Sequence, residues 1–267
     1  MILEKEGDEM FKMMNKFIMV FFAVFVLLRP FPAHSSDLSF LSFEHSEMTQ
    51  FNLPFKQYIA SYKIFVEEEK GLDALTRAIN RWDDLIVKAK EKRVDKSVYG
   101  RMEVVKGLLL QAHGLATQRR FGEARELSIP IRSELFEIHR VLKLLTPEDY
   151  MIFFHNGVMH RAEPFIKERR YLELEALIPL IKDTLAKFKV PPKNVEDIAL
   201  YNKKYKALED KVAEYIDAIE QANSYVDPEY GAVMLQECVL KAHDKAHKQF
   251  GALYLSFPKG MVWPKKR

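Results

Sequence analysis

Along most of the chain the apolar positions step by three and four. Between residues 198 and 222, Ile198, Tyr201, Tyr205, Leu208, Val212, Tyr215, Ile219 and Ala222 keep that spacing without a gap. Val98, Met102, Val105, Leu109, Ala112 and Ala116 form a second such seam, and Leu72, Leu75, Ile79, Trp82, Leu85 and Ala89 a third. Steps of this kind lay one apolar stripe along an α-helix, whereas a half-buried strand needs strict alternation, and no comparable period-two stretch occurs. Residues suited to accept the unpaired amides of a helix start punctuate the seams: Asp95, Thr146 before Pro147, Asn194 with Asp197 three residues on, and Asp227 before Pro228. The pattern predicts helices near 55–93, 96–119, 121–145, 147–168, 170–189, 195–225 and 228–255. Short links make neighbours antiparallel, so the expected fold is all-α, an antiparallel helical bundle or stacked helical hairpins of about seven helices. The helical domain is expected over 55–267, with an irregular or weakly helical N-terminal segment at 36–54 before it. The rigid link Val190-Pro191-Pro192-Lys193 marks the candidate sub-boundary at 190–193.

The N-terminus breaks the amphipathic pattern. Lys12 and Lys16 precede the wholly apolar run Phe17 to Leu28, which Arg29, Pro30, Phe31 and Pro32 close before Ala33-His34-Ser35. Basic residues, a short apolar core and a small-x-small site are the layout of a secretory signal peptide, so residues 1–35 are expected to be removed after Ser35. The run covers about 18 Å as a helix, short of the roughly 30 Å hydrocarbon core, and no later segment approaches a spanning length. The expected location is therefore periplasmic or extracellular, with no stable membrane span once the signal is gone.

Two corners of the chain repeat each other. Arg119-Arg120-Phe121-Gly122-Glu123, followed by Leu127, Ile131 and Leu135, returns as Arg169-Arg170-Tyr171-Leu172-Glu173, followed by Leu177, Ile181 and Leu185. A proline, Pro130 or Pro179, lies inside the helix that follows each corner and should kink it. The stretch Gln118 to Ala124 resembles the corner of a tetratricopeptide repeat, in which an aromatic and a Glu-Ala pair open the second helix. The resemblance covers one corner, and the spacing between the two corners is not that family's 34 residues. The internal repeat implies paired helices with Phe121 and Tyr171 as equivalent buried corner residues.

Composition narrows the function. The 267 residues are 48% apolar and 30% charged, ample for a globular core. With 41 basic against 38 acidic residues the net charge is only +3, which gives no basic field for nucleic acid. Cys238 is the only cysteine, so an intrachain disulfide and a dithiol redox role are both excluded. There is neither a Gly-rich phosphate loop nor a nucleophile elbow.

One stretch carries metal-binding chemistry. His243-Asp244-Lys245-Ala246-His247 sets two imidazoles one turn apart on a helix face, within reach of one ion. On a helical wheel both histidines, and Gln236 with them, fall inside the apolar arc of their helix, so each needs a polar partner in the interior. His113 and His155 border the apolar arcs of other helices and are the candidate third ligands; His139, Met151 and Met159 also lie on other helices. The pentapeptide resembles the HExxH motif of zinc peptidases with Asp in place of Glu, which draws the carboxylate back from a metal-bound water. The chain is thus expected to be an exported, non-enzymatic helical binding or interaction protein for a protein or small ligand. The alternative is a zinc, copper or haem protein on His243 and His247, with a zinc peptidase third.

Overall fold

The computed structural model of the chain describes residues 35–64, 68–224 and 231–257. The expected signal peptide lies outside them, apart from Ser35, and so do the cap at Asp227 and Pro228 and the C-terminal 258–267. Every regular element among the described residues is helical. After a 3-10 turn, Ser35–Leu41, come α1 (Ser46–Ile64), α2 (Glu68–Glu91), α3 (Lys96–Thr117), α4 (Phe121–Glu126) and α5 (Ser128–Leu142). Then follow α6 (Pro147–Phe153), one π-helical turn (Phe154–Met159) that runs on into α7 (His160–Lys167), α8 (Tyr171–Glu175), α9 (Ile178–Lys187), α10 (Ile198–Ser224) and α11 (Gly231–Tyr254). None is long and apolar enough to cross a membrane.

Consecutive elements pack as antiparallel hairpins. In the first, Glu47 pairs with Lys88 at 2.5 Å, Phe51 meets Trp82, and Arg77 donates to Gln57 at 3.2 Å, so α1 and α2 run past each other in opposite senses. The single helix expected over 55–93 is this pair. Residues 36–54, expected to be irregular or weakly helical, enter the domain: Phe40, Leu41, Phe43, Met48 and Phe51 are core residues, and α1 continues through Pro54. The predicted seams are the buried ones, Val98 to Ala116 in α3 and Tyr201 to Ala222 in α10. Across the 190–193 link α9 and α10 stay in contact, with the Tyr201 hydroxyl donating to the Phe188 carbonyl at 2.6 Å.

Helix starts follow the sequence in two cases and shift in a third. Asp95 accepts from the Ser97 amide at 2.8 Å, and Asp149 accepts from the Thr146 amide at 2.7 Å in front of Pro147. At α10 it is Asp197, not Asn194, that accepts the Leu200 amide, while Asn194 donates to the Phe43 carbonyl. The ends of α2, α3, α5 and α7 share another device. Arg93, Arg119, Lys143 and Arg169 each take a positive φ, and the next amide bonds back to the carbonyl five residues before it. A glycine would adopt that conformation with less strain, but a basic side chain there faces the negative end of the helix dipole.

The two repeated corners superimpose in kind. Arg120 and Arg170 both precede a short helix, and each guanidinium clasps the glutamate three residues on, Glu123 or Glu173. Phe121 is buried and Tyr171 is half-buried against the same core. Pro130 and Pro179, expected from sequence to kink a continuous helix, do not do so. Each helix breaks just ahead of its proline, between α4 and α5 or between α8 and α9. The proline then sits in the first turn of the second piece, where its missing amide is least needed.

Candidate metal centre

Three polar residues of α11 face inward, and all three grip the helix formed by α6, the π turn and α7. Gln236 donates to the Ile166 and Lys167 carbonyls at 3.1 and 3.0 Å, and so caps the end of α7. His243 Nε2 lies 3.2 Å from the Met159 carbonyl, and His247 Nε2 lies 2.7 Å from His155 Nε2. Each step of seven and then four up α11 is answered by the same step down the facing helix. The polar positions that the sequence places in the apolar arc therefore set the register of α11 against this helix.

His243 and His247 bond to different partners. The Nε2–H of His243 is spent on the Met159 carbonyl, its Nδ1 meets no hydrogen-bond partner among the described residues, and its ring sits edge-on to Tyr215. His247 instead joins His155, one of the two candidate third ligands, and His160. One ring nitrogen from each of these three lies within 4.8 Å of the others. His113 lies in α3, outside this group, and His139 pairs with Asp149 at 2.6 Å. Met151 and Met159 are buried core residues.

His160 gives no sign of itself in the sequence. Five residues after His155, it would point well away from it on an α-helix. In the π turn hydrogen bonds run from i to i+5, and residues five apart come to lie over one another. The two ring centroids are 4.5 Å apart. Gly157 makes room for this wider turn, because a Cβ there would stand 2.8 Å from the Phe153 ring, which stacks on Phe136.

Neighbouring groups fix which nitrogens can bind. Asn156 donates its amide to the Ile129 carbonyl at 2.8 Å and the Ser133 hydroxyl at 3.0 Å, which turns its oxygen toward His155 Nδ1 at 2.7 Å. His155 therefore carries its proton on Nδ1 and presents a bare Nε2. Glu163 accepts from His160 Nδ1 at 2.9 Å and leaves that ring's Nε2 as the ligating atom. Such outer acceptors orient metal-binding imidazoles and raise their basicity. Burial, with the Arg132 cation and His247 adding to it, pushes His155 well below the ordinary imidazole range. Burial lowers His160 too, opposed by Glu163 and reinforced by Arg132. Both rings are thus held in the neutral form that a metal requires.

The spacing is close to a metal site but not that of a loaded one. Nitrogens bound to a tetrahedral ion at about 2.0–2.1 Å stand about 3.3 Å apart. The His155–His247 edge, at 2.7 Å, is a hydrogen bond in which His247 Nε2–H donates, and an ion entering there must displace that proton. The remaining edges lie within 4.8 Å, so His160, whose side chain keeps 27% exposure, needs at most a small inward turn. The trio lines a cleft of about 520 Å³, counting the part open to solvent, together with Arg125, Glu126, Ser128, Arg132 and Tyr254. Compared with protein-family models, curated proteins and solved structures, the chain matches none.

Proposed function

We propose that the protein is an exported, non-enzymatic binding protein of helical-bundle architecture whose ligand is a transition-metal ion held by His155, His160 and His247. The observation that carries this reading is the convergence of three imidazoles from two helices, two of them with Nδ1 already engaged by Asn156 and Glu163. All-imidazole sites without sulfur suit zinc, copper(II), nickel or cobalt. Three rings aimed at one point favour a bare ion over haem, whose axial ligands come from opposite faces of a plane. A peptidase fits less well. Asp244, the residue in the place of the catalytic glutamate, is 70% exposed and adjoins His243 and not the trio.

Calorimetric titration of the full chain with zinc and with copper tests the reading. One ion per chain should bind, and His155→Ala, His160→Ala or His247→Ala should each abolish binding. His243→Ala and His113→Ala should keep it. Absence of binding at micromolar metal, or loss in His243→Ala while His160→Ala binds normally, overturns the assignment. Export is tested separately by amino-terminal sequencing of the secreted chain, which should begin near Ser36.

A further inference from the structure

The cleft in front of the histidines contains a cation that no carboxylate among the described residues pairs with directly. Arg132, on the second turn of α5, is 5% exposed. Its Nε donates to the Ser128 carbonyl at 3.1 Å, and its guanidinium carbon lies 5.7 Å from the centre of the Tyr254 ring. The two terminal nitrogens have no hydrogen-bond acceptor and no carboxylate within salt-bridge distance among the described residues, although Arg132 is a cleft-lining residue. Glu126, the acidic residue of the lining, stands at the rim beside Arg125, 3.9 Å away. The two arginines and one glutamate leave the cleft with one surplus positive charge, and that charge is the deep one. Burial lowers the Arg132 pKa from its high ordinary value, but a guanidinium remains charged near neutral pH. A nearly buried cation without a protein partner is costly, and the terminal nitrogens, which are not among the polar atoms sealed from solvent, open onto the cleft where a partner from solution can reach them.

We infer that Arg132 is the seat of a small oxyanion, of the class of inorganic phosphate or a simple carboxylate, bound two-pronged by its terminal nitrogens in the cleft beside His155, His160 and His247. The fork of a guanidinium matches two oxygens of such an anion. Ser128 lines the same cleft and offers a further hydroxyl donor. The inference stands apart from the metal reading, because the anion needs only the guanidinium.

The test titrates the full chain with inorganic phosphate, and separately with acetate, in EDTA and at constant ionic strength. The wild-type chain should bind one of the two in the millimolar range or tighter. Arg132→Met should weaken that binding by about tenfold or more, the equivalent of one charge-assisted hydrogen bond. Arg132→Lys should retain part of it, and Arg125→Met at the rim should change it less than threefold, roughly. Whichever anion binds should also raise the melting temperature of the wild-type chain but not of Arg132→Met. Binding that is equal in Arg132→Met, or absent in the wild-type chain for both anions, overturns the inference. Because EDTA removes metal from every arm, either result leaves the three-histidine reading to its own titration.

Discussion

Two buried polar clusters lie along the helix that begins at Pro147, and they are built on opposite terms. At its start, Glu148 and Asp149 are fully buried, and so is Lys56 opposite them. Lys56 Nζ spends all three of its donors on protein: Glu148 Oε1 at 2.7 Å, the Tyr254 carbonyl at 3.0 Å and the Phe257 carbonyl at 2.9 Å. It thereby caps the end of α11, and Asn52 adds a further bond to the same Glu148 oxygen. Asp149 ties the Thr146 amide and hydroxyl to His139. Two turns further on, the π turn and the start of α7 carry His155 and His160 into a cleft where Arg132 has no carboxylate within salt-bridge distance among the described residues. Where a buried charge is paired by the chain itself, it locks helices together. Where the chain leaves it unpaired beside a cleft, a partner from solution can reach it.

The largest expected effect breaks the closed cluster. Lys56→Met leaves Glu148 buried with Asn52 alone and removes the cap from α11, so it should cost about 3–5 kcal/mol in a urea titration. Pairing it with Glu148→Leu should restore most of that loss, since a neutral pair needs no compensation. If the single variant loses less than about 1 kcal/mol, the cluster does not hold α1, α6 and α11 together as argued.

Much of the fold can be read from periodicity, because a seam such as Tyr201 to Ala222 repeats one message many times. The closed cluster cannot, because Lys56, Asn52 and Glu148 look like ordinary surface residues until tertiary contact brings α1 to α6. His155 was visible at the edge of an apolar arc, and His247 through its place in such an arc. His160 was not, since its approach depends on a single π turn, and the i,i+4 pair His243 and His247 pointed to a shared ion when their bonds go to different partners. Gln236, His243 and His247 carried a true signal of another kind: three polar side chains in an apolar arc announced a helix-to-helix register.

Smaller effects sharpen the contrast. Asp149→Ala removes the acceptor of the Thr146 amide and strands His139, whose Nε2 already lacks a partner, and should cost about 2 kcal/mol. Burial lowers Lys56 to about 8, against the opposing pull of Glu148. Between pH 8 and about 10.5 the unfolded chain therefore holds a proton on this lysine that the folded chain has released. Over that window the Lys56 contribution to stability rises with pH, by about 1 kcal/mol per pH unit at most. Lys90, Lys106 and Lys206, whose pKa values are raised by hydrogen-bonded partners, act in the opposite sense. The signal is therefore the difference in pH slope between the wild-type chain and the Lys56→Met, Glu148→Leu pair. Parallel slopes would show that Lys56 stays protonated throughout.

The smallest change in stability is expected in the open cluster, from the same kind of substitution that is most damaging in the closed one. Arg132→Met keeps the length of the stem and its contact with the Tyr254 ring, and removes a cation that has no carboxylate partner among the described residues. It gives up one bond to the Ser128 carbonyl, already an acceptor within its helix, and relieves the desolvation of a lone charge. The two terms oppose each other, so unfolding free energy in phosphate-free buffer should stay within about 1 kcal/mol of the wild-type value, on the stabilising side. Adding the anion that binds should then shift the balance toward the wild-type chain, because only it gains from the anion. A loss near that of Lys56→Met in phosphate-free buffer would place Arg132 with the locking groups, and the distinction between the two clusters would fail.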